Sequence, residues 1–506
     1  MKKTWIKQGL LAVMLLFAAL LLGGCVSQIE EREMADLSEC MIEADMDAPE
    51  KDGADWTTMT AQLFFLNSDA SMLVPVTREI AVKAGTGRVQ AVLDALLGGP
   101  QEQDEGVFWP ELGSARSERF LEVSSGIATV DLPAHARTLS QEMLYAVRMA
   151  IAVTLTQMRE VSYVNVLVGG REEGLDLGAT LPVGTFSHLQ EKEARMRYNR
   201  LNDQRQSKEG VTLLTTMYFP SADASMILPE VRSVHYAQVA PIEYLYTLLE
   251  ELGKGSNSML TCGTIPPPMD YIEEMPEIVR TEDGYVVIEL QLSGSLDRAL
   301  AQAGLTRGIY TAMLTDTLMS FVPGVEGLKI SIDGELLTQL DALETPDGQE
   351  IVFGHGLSVR TDYHGYVGTP VTMYVKEDKG LSRVQYILAQ LRAEDPRERL
   401  GGLMRLSQKD EECFALPPEL TDEDILAVHM GRDAIAVNLS SAFARSLSSL
   451  SHGYERAAIY AMVNTLTEGT DISQVVFFFD GAQTETLAGG LEMRGSFMRN
   501  PGMVVN

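Results

Sequence analysis

The chain has 506 residues, 71 acidic against 40 basic side chains, a formal net charge of −31 and 45% hydrophobic residues. A single core stops growing at roughly 250 to 300 residues, so this length predicts about three domains. The acidity excludes nucleic acid as a partner, because so negative a surface repels phosphates; the ordinary hydrophobic fraction excludes a mainly disordered chain.

The first element is an export signal. Lys2, Lys3 and Lys7 charge its start, and Gly9 to Leu22 form a 14-residue apolar run. That is shorter than the ~20 residues a membrane-spanning helix needs. Its end, Leu22-Gly23-Gly24-Cys25, resembles a bacterial lipobox, which implies cleavage before Cys25 and acylation of its thiol. The competing reading is an uncleaved N-terminal helix, and both place the rest of the chain outside the cytoplasm. Residues 26–56 hold eleven Asp or Glu against Arg32 and Lys51, without apolar periodicity. Like charges extend such a tether, so anchoring falls to the lipid. Cys40, Cys262 and Cys413 show no metal-ligand or redox spacing. Cys40 is an incidental thiol or bridges to Cys262 or Cys413.

Beyond the tether the chain repeats itself. Asp69-Ala70-Ser71-Met72-Leu73-Val74-Pro75 recurs as Asp223-Ala224-Ser225-Met226-Ile227-Leu228-Pro229, each after an aromatic run, Leu63 to Leu66 and Met217 to Phe219. A third run, Val371 to Val375, is followed by Lys376-Glu377-Asp378-Lys379-Gly380, which predicts the loss of a surface excursion. An amphipathic helix comes next each time: Val89, Val92, Leu93, Leu96, Leu97; then Leu245, Leu248, Leu249, Leu252; then Val384, Ile387, Leu388, Leu391. An alternating strand follows, with inward sets Ala128, Val130, Leu132; Val286, Ile288, Leu290; and Ile435, Val437, Leu439. Polar neighbours Asp131, Glu289 and Asn438 predict a half-solvated sheet.

A second helix carries Leu144, Val147, Ile151, Leu155; then Ile309, Met313, Leu318; then Ile459, Val463, Leu466. A Thr-Leu pair marks one place in all three: Thr154-Leu155, Thr317-Leu318 and Thr465-Leu466. The closing strands, 164–168, 328–332 and 475–479, run into Gly169-Gly170, Asp333-Gly334 and Asp480-Gly481, signals for a tight turn with positive φ. Copies one and three trail into Phe186 and Phe497; copy two runs instead into a Gly-rich stretch from Asp347 to Gly368.

The aromatic first strand, the strand Gly126 to Leu132, the helix Tyr460 to Leu466 and the closing Val476 to Gly481, with Thr484 to Gly489 and Phe497 after it, resemble the GerMN domain of sporulation and spore germination lipoproteins. Their order after a lipobox carries the likeness. The predicted fold is α+β: three tandem small domains, each a mixed sheet packed on two helices and similar to the ring-building motif. The predicted organisation is a lipoprotein signal peptide at 1–24, an acidic tether at 25–56, GerMN-like domains at 57–188, 210–343 and 367–506, a charged linker at 189–209 and a Gly-rich connection at 344–366.

The catalytic inventory is bare. Seven histidines, at 135, 188, 235, 355, 364, 429 and 452, form no His-x-x-x-His or His-Glu-x-x-His pattern, and His355 and His364 share a loop-like insert. No nucleophile elbow, phosphate loop or dinucleotide fingerprint occurs in context. The 25 methionines read as core filler and Pro266-Pro267-Pro268 as a stiff loop. Cys25, as a lipidation site, is therefore the single site residue predicted, with no cofactor, no metal and no enzymatic activity. The resemblance implies an extracytoplasmic, lipid-anchored scaffold or adaptor for a sporulation or germination envelope complex, with self-association open. The rivals are a peptidoglycan- or small-ligand-binding lipoprotein, which would need Phe477-Phe478-Phe479 exposed, and an envelope hydrolase, which would need titratable groups gathered in one cleft.

Overall fold

The structure is a computed structural model that describes residues 46–505 apart from 86, 113–119, 176–179, 189–208, 410–413 and 488–489. The signal peptide, Cys25, Cys40, Cys413, most of the tether and nearly all of the charged linker lie outside the described residues.

Each copy begins with a long hairpin and closes with a separate sheet, of four strands in copies one and two and of five in copy three. Ahead of copy one runs β1 (Gly53–Ala54); the copy itself starts with β2 (Trp56–Asn67) and β3 (Leu73–Lys83), paired antiparallel from Trp56↔Lys83 to Leu66↔Leu73. The repeated Asp-Ala-Ser-Met motif is its turn. Asp69 Oδ1 accepts the Ser71 N–H at 3.0 Å and Ala70 adopts φ 53°. Helix α1 (Arg88–Leu97) buries the five predicted residues, and β4 (Val107–Phe108) joins the hairpin edge. Strands β5 (Phe120–Ser124) and β6 (Ile127–Leu132) pair antiparallel. Helix α2 (Gln141–Leu155), whose N-cap Ser140 accepts the Met143 N–H, crosses over to β7 (Tyr163–Val168), parallel to β6. The short β8 (Phe186–Ser187) closes the sheet with Phe186 opposite Val164.

Copy two repeats this order: β9 (Val211–Pro220), β10 (Ile227–Tyr236), α3 (Pro241–Gly253), β11 (Ile272–Arg280), β12 (Val286–Leu292), α4 (Ser295–Ala303), α5 (Arg307–Met319), β13 (Gly327–Ile332) and β14 (Glu335–Leu336). Copy three has β15 (Gly368–Glu377), β16 (Gly380–Ala389), α6 (Pro396–Lys409), β17 (Ile425–Met430), β18 (Ala434–Leu439), α7 (Ser441–Ser448), α8 (His452–Thr467), β19 (Gln474–Phe479) and β20 (Ser496–Met498). The turns after β7, β13 and β19 have positive φ at both central residues, as the sequence predicts.

Several expectations need correction. The run Val384 to Leu391 is not a helix: its Val, Tyr and Ile residues favour the extended β16, the return strand of the third hairpin. The helix starts at Pro396, where Asp395 accepts the Arg397 N–H at 2.9 Å, and it buries Leu400, Leu403 and Met404. In copy two the ladder pairs Leu292 with Ile332, as it pairs Leu132 with Val168 and Leu439 with Phe479. The residue equivalent to Asp131 and Asn438 is thus Gln291, not Glu289. Nor are the sheets uniformly half-solvated. Thr129 and Asn165 on copy one's outer face are buried, as is all of β18, whereas Gln291 in copy two is exposed.

The described residues divide into two compact units. Asp55–Met373 with Val384–Gly402 form one; residues through Ala54 with Tyr374–Arg383 and Leu403–Asn506 form the other. Copies one and two share the former, and one apolar core runs through both from Leu63 to Val367. Local periodicity marks each copy's own core side and is blind to a second burial by a neighbouring copy.

Candidate functional site

The signature of the repeat is a backbone bond. In each copy the second helix lies along the first hairpin strand, and the threonine of the Thr-Leu pair accepts an N–H from it. Phe64 donates to Thr154 Oγ1 at 3.1 Å, Tyr218 to Thr317 Oγ1 at 2.9 Å and Tyr374 to Thr465 Oγ1 at 3.2 Å. All three threonines are buried, where an unmet amide would be costly. Arginines on the return strands of copies one and two do related work. Arg78 lies over Phe65 and donates to Ala95 O and Gly99 O at the end of α1; Arg232 lies over Phe219 and donates to Glu251 O and Gly255 O at the end of α3. A cation there meets the negative end of the helix dipole.

The polar residues on the outer sheet faces hold turns. Asp131 Oδ1 accepts the Gly170 N–H at 2.8 Å and Asn438 Oδ1 the Gly481 N–H at 3.0 Å. Burial pushes the Asp131 carboxyl up to about 6, against the opposing pull of the Gly170 bond and of Arg360.

Arg360 is the centre of the candidate site. The Gly-rich connection of copy two is a folded insert, not a loop. It brings Ser358 opposite Leu328, where copies one and three place Phe186 and Phe497, and then buries Arg360 against the outer face of copy one's sheet. The guanidinium lies 5.2 Å from the centre of the Tyr218 ring. It donates to Glu122 Oε2 at 2.9 Å, to Tyr218 Oη at 3.2 Å, to Asp316 O at 3.3 Å and to Ser320 Oγ at 2.7 Å. Tyr218 in turn donates to Glu122 Oε2 at 3.2 Å and approaches Thr129 Oγ1 at 3.4 Å. One insert, one hairpin, one helix and one strand of the neighbouring copy thus meet on a single cation.

Two carboxylates face that cation. Asp316 Oδ2 is 3.7 Å away, and neither of its carboxyl oxygens has a hydrogen-bond partner. Burial raises the Asp316 carboxyl well above the usual carboxylate range, against the opposing pull of Arg360. Burial also raises Asp362 and Tyr218 and lowers His364. A second buried pair, Arg148 with Glu172 at 3.3 Å, lies nearby in the chain order, and the Glu172 N–H donates to Met319 O of copy two.

Both terminal nitrogens of Arg360 donate to groups within the chain. Cavities of about 220, 250 and 380 Å³, lined in turn by residues such as Met226 and Thr306, Gln62 and Arg88, and Arg445 and Phe479, share no residue with this cluster. No group of three or more His, Cys, Asp or Glu side chains among the described residues could hold a metal ion. His355 adopts φ 56° in a short turn of the insert. Cys262 is a free thiol. Phe477, Phe478 and Phe479 are buried, as are Pro266 and Pro268, whose segment packs against Gly253 and takes the Tyr310 hydroxyl. The sequence does not single out Arg360 or Glu122: each is one charge among many, and the partners are far apart in the chain.

Fold and site together define a tandem α+β repeat protein whose first two copies are bolted to each other by buried charge. The family described as Germane, sporulation and spore germination, matches residues 62–174 and 365–485, which are copies one and three. Those two stretches are similar to that family, and the structure adds copy two, outside the matched stretches, as a further instance of the same repeat. The tandem GerMN domains of the sporulation protein GerM from Bacillus subtilis are similar at 15% identity and a TM-score of 0.21, over 60% of this chain and 100% of theirs. A Clostridium perfringens protein described as a lipoprotein is similar at 18% identity and a TM-score of 0.19, over 28% of this chain and 94% of its own. No curated protein sequence matches. No helix among the described residues is long and apolar enough to cross a membrane.

Proposed function

We propose that this chain is a non-enzymatic scaffold or adaptor for an envelope complex of sporulation or spore germination, held on the outer side of the cell membrane by lipid on Cys25. The observation that carries this reading is the Arg360 cluster. A buried ion pair costs several kcal/mol of desolvation, and in some proteins its return is one specified arrangement. Here the beneficiary is the fixed geometry of two repeats, a property useful for presenting surfaces. The burial of the Phe477 to Phe479 run supports this reading over an aromatic ligand platform.

The test is made on the full chain in its spore-forming host. Tagged wild-type protein, extracted from sporulating envelopes in detergent, is expected to retain a defined set of envelope proteins, and Cys25→Ala to lose both the membrane fraction and that set. Unchanged sporulation and germination after deletion of the gene would overturn the reading. Co-sedimentation of the purified chain with peptidoglycan, without protein partners, would favour a wall-binding lipoprotein.

A further inference from the structure

The tether does not remain free up to its predicted end. Residues 46–54 lie along the outer face of the third copy's sheet. Met46 and Ala48 pack on Ala434, Ala436, Val476 and Phe478, an apolar strip formed by alternate residues of β18 and β19. Asn438 Nδ2 donates to Pro49 O at 3.2 Å, and Asp52 Oδ1 accepts the Val428 N–H at 2.8 Å. Strand β1 then adds to the sheet edge, parallel to β17, with Gly53 opposite His429 and Ala54 opposite Met430. The fit at Gly53 is close, since a Cβ there would stand 2.9 Å from His429 Nδ1.

This is a built site for an extended segment: an apolar strip, an amide side chain and a backbone N–H that both donate to the segment, and a sheet edge that pairs with it. Copy one has its outer face covered by the copy that follows it. On copy three the segment ahead of copy one supplies the cover. Contacts that join the segment ahead of copy one to copy three are equally available between two chains, and they then run head to tail. Asp55 alone separates β1 from β2, and a one-residue hinge favours exchange of the element it carries.

We propose that the outer face of the third sheet is a docking site for residues 46–54 of a second copy of this chain, so that the protein assembles by exchanging this arm. The contacts are the same in cis and in trans, and concentration decides between them. The inference goes beyond the scaffold reading and does not depend on it, because exchange is measured on the purified chain without reference to sporulation.

The experiment mixes two full-length preparations in detergent, one carrying an affinity tag and one without it, and measures the untagged chain captured with the tagged one as concentration rises. Capture is expected to rise with concentration and to fall about tenfold in the presence of excess synthetic peptide of residues 46–54. Gly53→Val in both preparations is expected to abolish it through the clash with His429, and Asp52→Ala to weaken it while leaving the copies folded. A chain that stays monomeric at every concentration would overturn the proposal. So would capture that survives both the peptide and the two substitutions, or peptide binding without capture.

Discussion

The outer faces of the first and third sheets occupy the same place in the same fold and are covered in opposite ways. Copy one's face, with Glu122 and Thr129, receives a charged insert and a tyrosine that hold a buried cation against a carboxylate. Copy three's face, with Ala434, Ala436, Val476 and Phe478, receives a short arm that sets Met46 and Ala48 on it, with two polar bonds and a two-residue strand. Copy two's face is covered by neither; Glu289 and Lys329 pair across it at 3.4 Å, half-buried. The lesson is that a repeated sheet does not dictate its cover. The residues on the outer face do: a carboxylate among polar groups demands a permanent counter-charge, a strip of small apolar residues accepts a removable strap, and exposed charges need no cover.

The sharpest way to break this contrast is at Arg360. Arg360→Ala leaves Glu122 buried without its cation, and loss of one partner of such a pair costs about 3–5 kcal/mol. Urea unfolding of the full chain is expected to show that loss in the unit of copies one and two, with the third copy unchanged. The double change Glu122→Gln with Arg360→Met, which removes both charges, is expected to recover most of it.

A change common to all copies comes next in size. Thr317→Val and Thr465→Val each remove the acceptor for a buried strand N–H, a loss of about 1–3 kcal/mol. Amide exchange is expected to accelerate at Tyr218 in the former and at Tyr374 in the latter, each in its own unit. Equal acceleration in both units from either variant would contradict the division of the chain.

Asp131 sets the two faces apart in pH dependence. Its folded value of about 6 lies above the ordinary aspartate value of 3.8, so the folded state favours the protonated form. The associated stability is present below pH ~4 and is lost as the pH rises to about 6, a fall on the order of 2–3 kcal/mol. Asp131→Asn keeps the bond to Gly170, as Asn438 does for Gly481, and is expected to flatten that stretch of the profile and raise stability at neutral pH. A fall of unchanged slope between pH 4 and 6 in the variant would assign it elsewhere. The smallest effect is at the hairpin turns. Ala224→Gly relieves a positive φ at the cost of a more flexible unfolded chain, and a gain below about 1 kcal/mol is expected from thermal unfolding.

Much of the fold was legible because it is written in short periods. The spacing of Leu245, Leu248, Leu249 and Leu252, or the alternation of Ile435, Val437 and Leu439, is a property of one element facing one core. What was illegible depends on non-local contacts. Val384, Ile387 and Leu388 keep helical spacing while Val384, Tyr386 and Leu388 alternate, and the competing evidence, Asp395-Pro396 as a helix start, lies outside that run. Copy two's register slipped by two because Val286 to Leu292 alternates throughout, so only pairing with β13 fixes which residues match. The Thr-Leu pair was visible as a mark without a reason until the strand N–H appeared beside it. Arg360 was invisible, since a Gly-rich stretch with scattered charges is the composition of a loop, and its burial is created by Glu122 and Tyr218 from distant parts of the chain. Residues 46–54 failed for a related reason: their acidity marks a solvated tether, while Met46, Ala48 and Gly53 are too sparse to form a period.

The central claim is that copies one and two are one body locked by Arg360. Hydrogen exchange of the full chain, followed by mass spectrometry in wild type and in Arg360→Ala, tests it directly. The account predicts that the substitution speeds exchange in Ile127–Leu132 and Val211–Pro220 together, while Ala434–Leu439 keeps its protection. Acceleration confined to one of the first two segments, or exchange left unchanged in both, would contradict it.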